Sequence, residues 1–259
     1  MTAKTRPFTF KSSGLTDTGQ VRENNEDAWK VVPEQNIFVL ADGMGGHSAG
    51  EIAAQETVDK YAQLVMENQK TLTSINAKDF LKDTIKEINH SVFRLAKADR
   101  ELRGMGTTIC CGLFVDDQLF YAHVGDSRIY RFRNHKIKQL TDDHSLVQEL
   151  IELGELNKRQ ALEFNQRNII TKAVGTEPHV VPSISSCDIK SGDIILMCSD
   201  GLSDLLSNKE IEKILNLSTD IEHKTELFVQ SANRRGGLDN ITVILLEVTA
   251  DEQAHLSRS

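Results

Sequence analysis

Four aspartates stand at the boundaries of apolar runs. Asp42 closes IFVLAD (Ile37–Asp42), Asp126 follows LFYAHVG (Leu119–Gly125), and Asp200 closes DIILMCSD (Asp193–Asp200). Asp239 instead comes just before NITVILLEV (Asn240–Val248). Short apolar runs bounded by Gly and Asp read as buried strands. If such strands are antiparallel neighbours, the end of one lies beside the start of the next. The four carboxylates then meet on one edge of the sheets. Carboxylates held that close repel one another, and burial adds to the cost of their charge. A divalent cation that favours hard oxygen ligands, Mg²⁺ or Mn²⁺, relieves both. The expected chemistry is that of a metal-dependent enzyme.

Each position also has a plainer reading. Asp-Gly is a common hairpin turn, but in ADGMGGHSAGE and CSDGLSDLL a helical pattern follows instead of a pairing strand. The glycines after Asp42 let backbone approach a ligand closely, so the Gly43 carbonyl is a candidate donor to a cation that Asp42 also binds. Asp239 in RRGGLDNITV has a loop aspartate as its lesser, competing reading. Asp126 has the strongest competing reading, because GDS between two strands makes a good hairpin turn. The loop DTGQVRENNED offers Arg22, Glu26 and Asp27. It is either a solvated charged loop or, beside a metal cluster, a guanidinium fork for phosphate with two carboxylates that hold metal-bound water.

The positioning elements follow from periodicity. Strands are expected near Thr9–Ser13, Ala28–Val32 and Ile37–Leu40. Ser48 and Glu51 have the spacing of a capping box. Beyond them Ala54, Val58, Tyr61, Ala62 and Val65 form one helical stripe, and Leu81, Ile85, Ile88, Val92 and Leu95 a second. Strands resume at Thr107–Val115, Leu119–Val124 and Arg128–Arg133, with Asp116-Asp117 and Gly125-Asp126-Ser127 as hairpin turns. A helix is expected near His144–Leu153, strands near Val181–Cys187 and Ile194–Cys198, helices near Lys209–Leu215 and Ile221–Ala232, and a last strand at Ile241–Val248. Helices, a block of strands, then helices again indicate two stacked antiparallel sheets with helix pairs outside, an α+β four-layer αββα sandwich.

VRENNEDA, ADGMGGHSAGE, GTTICC, HVGDSRIY, RNIITKAVG, CSDGLSDLL and GGLDNITV occur in that order. Together they resemble the bacterial branch of the metal-dependent Ser/Thr protein phosphatases of type 2C, from about Phe8 to Val248. The resemblance implies hydrolysis of phosphoserine and phosphothreonine monoesters on proteins by a water activated at a dinuclear Mn²⁺ or Mg²⁺ site. By similarity Asp42 bridges the two cations, the Gly43 carbonyl binds the second, and Asp200 and Asp239 hold the first. Glu26 and Asp27 act through bound water, Arg22 grips the substrate phosphate, and Asn240 braces the loop that presents Asp239. A third, weaker cation draws on Asp126 and Asp200. In eukaryotic members a histidine directly follows the first Asp-Gly and serves as general acid. Here Met44 holds that place, and His47, three residues later, either donates the proton or caps the following helix, with water as the substitute donor. The charged stretch Glu152–Arg167 is expected to form a flap beside the metal site.

Such chemistry suits the reaction. Two divalent cations roughly 3.5–4 Å apart activate a water, hold it for in-line attack and offset charge on the phosphoryl oxygens, so no protein nucleophile is required. Cys110 and Cys111 lie on an apolar strand without a phosphate-cradling loop, and with Cys187 and Cys198 they read as buried free thiols.

The chain is expected to be one catalytic domain, residues 1–259 with a core at 8–249 and a short polar tail. A formal net charge of −8 disfavours binding of nucleic acid through phosphates. No signal-like stretch or run of about 18 apolar residues stands out. The expectation is a cytoplasmic monomer, bound to neither membrane nor nucleic acid, whose partners are a Ser/Thr kinase and that kinase's phosphorylated substrates. Two other readings compete: a catalytically silent phosphoprotein-binding regulator, and a metal-dependent phosphodiesterase.

Overall fold

Strands whose every residue is buried need apolar partners on both faces, and the computed structural model provides them in layers. It describes residues 8–45, 49–162, 164, 166 and 168–250. Among the described residues the strands form two antiparallel sheets. One has the order β1 (Phe8–Asp17), β11 (Ile241–Ala250), β10 (Ile194–Cys198), β7 (Arg128–Arg133), β8 (Lys136–Gln139). The other runs β2 (Asp27–Val32), β3 (Ile37–Met44), β5 (Ile109–Val115), β6 (Gln118–Val124), β9 (Ser183–Asp188), and the short β4 (Gly106–Thr107) pairs with the end of β3. Helices α1 (Ala49–Asn68) and α2 (Ala77–Ala98) cover the second sheet. Helices α5 (Asp200–Ser203), α6 (Asn208–Leu215) and α7 (Ile221–Asn233) cover the first. The short helices α3 (Leu146–Glu152) and α4 (Lys158–Leu162) follow β8. The fold is α+β, four layers deep.

Strand alternation sorts the core into three slabs, because successive side chains point to opposite faces. Ile37, Val39 and Ala41 of β3 share one slab with Val58, Tyr61 and Val65 of α1, which covers β3, and with Leu81, Ile85, Ile88 and Val92 of α2, which lies over β6 and β9. Phe38 and Leu40 turn the other way, into the space between the sheets, and pack with Ile195, Met197, Ile244 and Leu246. Leu196, Cys198, Val243 and Leu245 face Ile211, Leu215, Phe228 and Val229 of the second helix layer. Each large aliphatic side chain buried this way contributes about 1.5–3 kcal/mol of transfer free energy. Side-chain caps fix helix starts: Asp220 accepts from the His223 N–H at 2.7 Å, and Ser207 with Glu210 forms a capping box.

Several sequence expectations need correction. Gly125-Asp126-Ser127 is not a hairpin turn; it carries the chain from β6 in one sheet to β7 in the other. Strand β3 continues through Asp42 to Met44, because β4 offers it a partner there. The run Thr107–Val115 is broken at Thr108. Leu95 is 37% exposed and Ala96 takes the buried place at that end of α2. Strand β8, too polar for an alternation signal, was not anticipated. Cys110, Cys111 and Cys198 are buried free thiols, whereas Cys187 is only half-buried. Ser48, His47 and the tail after Ala250 lie outside the described residues, as do Glu163, Asn165 and Arg167 of the expected flap.

Candidate metal centre

Antiparallel pairing brings the acidic boundary residues to one end of the two sheets. Asp27 at the start of β2 is register partner to Asp42 on β3. In the facing sheet, Cys198 pairs with Val243, so Asp200 just beyond β10 lies beside Asp239 just before β11. Asp126 sits on the crossover between the sheets. Asp42, Asp126, Asp200 and Asp239 all line one cleft of about 420 Å³, with Gly43, Glu26, Arg22 and Asn240 on its walls. The cleft lies where the inter-sheet slab opens to solvent.

Close backbone approach makes this convergence possible. A Cβ on Gly43 would strike the Gly50 carbonyl and come within 2.6 Å of the Glu26 carbonyl, while one on Gly50 would strike the Glu26 carboxylate. Gly43 donates its N–H to Glu26 O at 3.1 Å. The start of α1 is thereby pressed against the β2–β3 pair, and its N-terminal dipole meets the Glu26 carboxylate.

Hydroxyl and amide groups aim the acids. Asp27 Oδ2 accepts from Ser199 Oγ at 2.9 Å and from Thr242 Oγ1 at 2.6 Å. Asp42 N–H donates to Thr108 Oγ1 at 3.0 Å, and Thr108 Oγ1 shares a hydrogen bond with Ser127 Oγ at 2.7 Å. Asn240 accepts from the Glu26 N–H at 2.8 Å and donates to the Thr18 and Asn24 carbonyls at 3.0 and 2.8 Å. It clamps the loop that carries Arg22 and Glu26 onto the start of β11. Arg22 Nη2 donates to Asp239 Oδ2 at 2.8 Å.

The electrostatics are those of a crowded acidic site. Burial is the largest cause raising the Asp42 carboxyl well above the ordinary range, followed by the charges of Asp27, Asp200, Asp126 and Asp239. Asp200 is raised in the same way, by burial and then by Asp126, Asp204 and Asp239. Burial pushes Asp27 up to about 6 despite its two hydroxyl donors. Asp126 rises to about 6 through burial and the Asp143 charge. Glu26 is raised by burial, against the nearby Arg22.

Whether these residues suit a cation is testable on their own atoms. No three of the described His, Cys, Asp or Glu side chains form a closed ligand set, and Asp239 is turned toward Arg22. Yet Asp27 Oδ1 and Asp200 Oδ1 are buried oxygens with no hydrogen-bond partner. A buried anionic oxygen without a donor is costly unless a cation meets it. The donors are all hard oxygens and repel one another, which fits Mn²⁺ or Mg²⁺.

Sequence reasoning missed the hydroxyls of Thr108, Ser127, Ser199 and Thr242, and missed Asn168 and Ile170 on the cleft wall. Ser127 and Ser199 adjoin Asp126 and Asp200 in the sequence, but nothing local marks which distant acid or hydroxyl each of the four bonds. A second cavity of about 370 Å³ shares Asp126 and Asp200 and is lined by Ile151 of α3 and Ala161 of α4. No described helix is long and apolar enough to cross a membrane.

The chain is similar to known protein phosphatases in sequence and in fold. The profile of the family described as Protein phosphatase 2C matches residues 18–241. The serine/threonine phosphatase Stp of Listeria monocytogenes is 38% identical over 235 residues, 90% of this chain and 93% of the relative. The solved serine/threonine phosphatase of S. agalactiae is 38% identical with a TM-score of 0.86, covering 92% of this chain and 99% of that one. The catalytic domain of the protein phosphatase PstP, solved in complex with two manganese ions, is 31% identical with a TM-score of 0.83 over 93% and 99% of the two chains.

Proposed function

Because the chain belongs to the protein phosphatase 2C family, and is a metal-dependent serine/threonine protein phosphatase acting on phosphoproteins, we propose a role for each acid around its cleft. Asp42 and the Gly43 carbonyl hold a pair of divalent cations, Mn²⁺ or Mg²⁺, together with Asp200 and Asp239. Asp126 and Asp200 hold a third, weaker one. The supporting observation is the meeting of these acids in one cleft with two buried carboxylate oxygens left without donors. When bound, the cations supply activation of a water and neutralisation of phosphoryl charge.

The chain's own groups do the rest. Arg22, half exposed at the cleft mouth, exchanges its bond to Asp239 for the phosphate oxygens of the substrate, to which its planar fork is matched. Glu26 and Asp27 orient water through their free oxygens. His47 is the candidate proton donor to the departing serine or threonine oxygen. Residues 8–249 act as one catalytic domain, a monomer that reverses the action of a Ser/Thr kinase on its targets.

The test is phosphate release with Mn²⁺ from a phosphothreonine peptide, with DNA as a competing substrate. Peptide turnover that is lost in Asp42→Asn and Asp239→Asn, with the fold retained, is expected. Near-normal turnover in either variant would remove that residue from the set, and cleavage of DNA instead would overturn the substrate class.

A further inference from the structure

Both flanks of Asp126 are held. On one side Ser127 Oγ bonds Thr108 Oγ1, and the Ser127 carbonyl accepts from Cys110 Sγ at 2.9 Å. On the other side His144 grips Gly125 twice. The His144 main-chain N–H donates to Gly125 O at 3.0 Å, and the Gly125 N–H donates to His144 Nδ1 at 3.2 Å. A ring nitrogen that accepts an N–H carries no proton of its own, so the imidazole proton is on Nε2. That nitrogen donates to Ser183 Oγ at 2.8 Å.

The ring is locked in this form from every side. His123 stacks on it with centroids 4.5 Å apart and planes 15° from parallel, and itself donates from Nε2 to Asp142 O at 2.8 Å. Both imidazoles are buried. Burial first, and the neighbouring His123 ring second, hold the His144 ring neutral, its pKa down at about 3. Gly125 has φ +100°, and a Cβ there would lie 2.6 Å from Thr108 Cγ2. The crossover therefore has no side chain at that position to anchor itself. The His144 carbonyl also accepts from the Thr171 N–H at 2.8 Å, which ties the crossover to the wall that bears Ile170.

We propose that His144 is a positioning residue for Asp126: its Nδ1 and its main-chain N–H together fix Gly125, and so aim the next carboxylate into the cleft. The inference rests on the assignment of Asp126 as a cation ligand. Nothing in it requires His144 to touch substrate or cation.

The test compares two variants of equal polarity on the full chain. His144→Asn keeps an oxygen near the Nδ1 position, while His144→Gln moves it outward to the Nε2 position, toward Ser183. Mn²⁺ binding is followed by titration calorimetry. The weakest class of Mn²⁺ sites is expected to lose about 10-fold or more in affinity in His144→Gln, as groups that orient metal ligands commonly do, and to stay within about threefold of the parent in His144→Asn. Equal behaviour of the two variants overturns the proposal. Asp126→Asn separates the two layers of the argument. If it leaves the weak class intact, the assignment of Asp126 fails and the role of His144 with it. If it abolishes that class while both His144 variants keep it, only the role of His144 fails. Should His144→Gln not fold, ¹⁵N resonances of the unmodified protein decide: a bare Nδ1 and a protonated Nε2 on His144 between pH 6 and 8 are required, and a protonated Nδ1 overturns the proposal.

Discussion

Asp27 and Asp42 lie opposite each other across the β2–β3 pair, two carboxylates on one face in direct register. Like charges in that relation destabilise a sheet. Two hydroxyls from the other sheet, Ser199 and Thr242, steer Asp27 by bonding one of its oxygens and leave the other without a partner. The arrangement sacrifices local stability to keep an anionic oxygen available. A protein arranged for stability alone would not place these two residues there.

Thr242→Val tests that steering. Valine fills the same space but cannot donate to Asp27 Oδ2 or bond Thr16 Oγ1, which lies 2.7 Å away. Mn²⁺ affinity is expected to fall about 10–100-fold, with turnover falling alongside it at fixed Mn²⁺. A titration that overlays the parent protein's would show that the hydroxyl is structural only.

The acidic cluster predicts a specific pH response. Asp27 and Asp126 are raised to about 6, mainly by burial, and Asp42 and Asp200 are raised well above the ordinary carboxylate range by the same cause. In the unfolded chain aspartate titrates near ~3.9. The metal-free fold therefore binds protons that the unfolded chain has released, and its stability falls as pH rises through that window. Mn²⁺ must displace those protons, so its affinity should weaken as pH drops below 6. Thermal unfolding at pH 5 and pH 8, with and without Mn²⁺, reads both effects. The rise in Tm caused by Mn²⁺ should be larger at pH 8.

Arg22 separates catalysis from stability. Its bond to Asp239 is half exposed, and pairs of that kind are worth about 0–1 kcal/mol. Arg22→Ala should leave the urea midpoint almost unchanged. It should lower kcat/KM for a phosphopeptide by about 10–100-fold, since charge-assisted bonds to a phosphate are worth about 1.5–3 kcal/mol. Arg22→Lys should recover only part of the loss, because a lysine cannot grip two oxygens as a fork does.

Gly50→Ala tests the backbone approach. The added methyl would meet the Glu26 carboxylate and the Gly43 backbone. Glu26 can give way but Gly43 cannot, so we expect destabilisation of about 1–3 kcal/mol by urea unfolding, with a loss of Mn²⁺ affinity. An unchanged midpoint would mean that α1 can slide away from β3.

The acids were legible in the sequence because each stands where an apolar run meets a Gly-rich turn, and because antiparallel strands return their ends to their neighbours' starts. Strands Arg128–Arg133 and Ile194–Cys198 could be read to the residue. What pattern could not supply was the sheet to which each strand belongs. Gly125-Asp126-Ser127 has hairpin chemistry, and only packing decides that β6 and β7 part there. Strand β8 escaped because KIKQ is polar and held mainly by its pairing with β7. Thr242 and Ser199 escaped because a hydroxyl's partner, 215 residues away in the case of Thr242 and Asp27, leaves no local trace.

Among the described residues strand β1 pairs only with β11, and Thr9 meets Thr249 across 240 residues of chain. During synthesis β1 must therefore wait for β11, made more than 200 residues later, and β11 brings Asp239 with it. The same pairing closes this sheet and completes the acidic cleft, because Asp239 comes just before β11. Contacts this distant also slow refolding, and a chain clipped within β11 would lose its seam and its chemistry together.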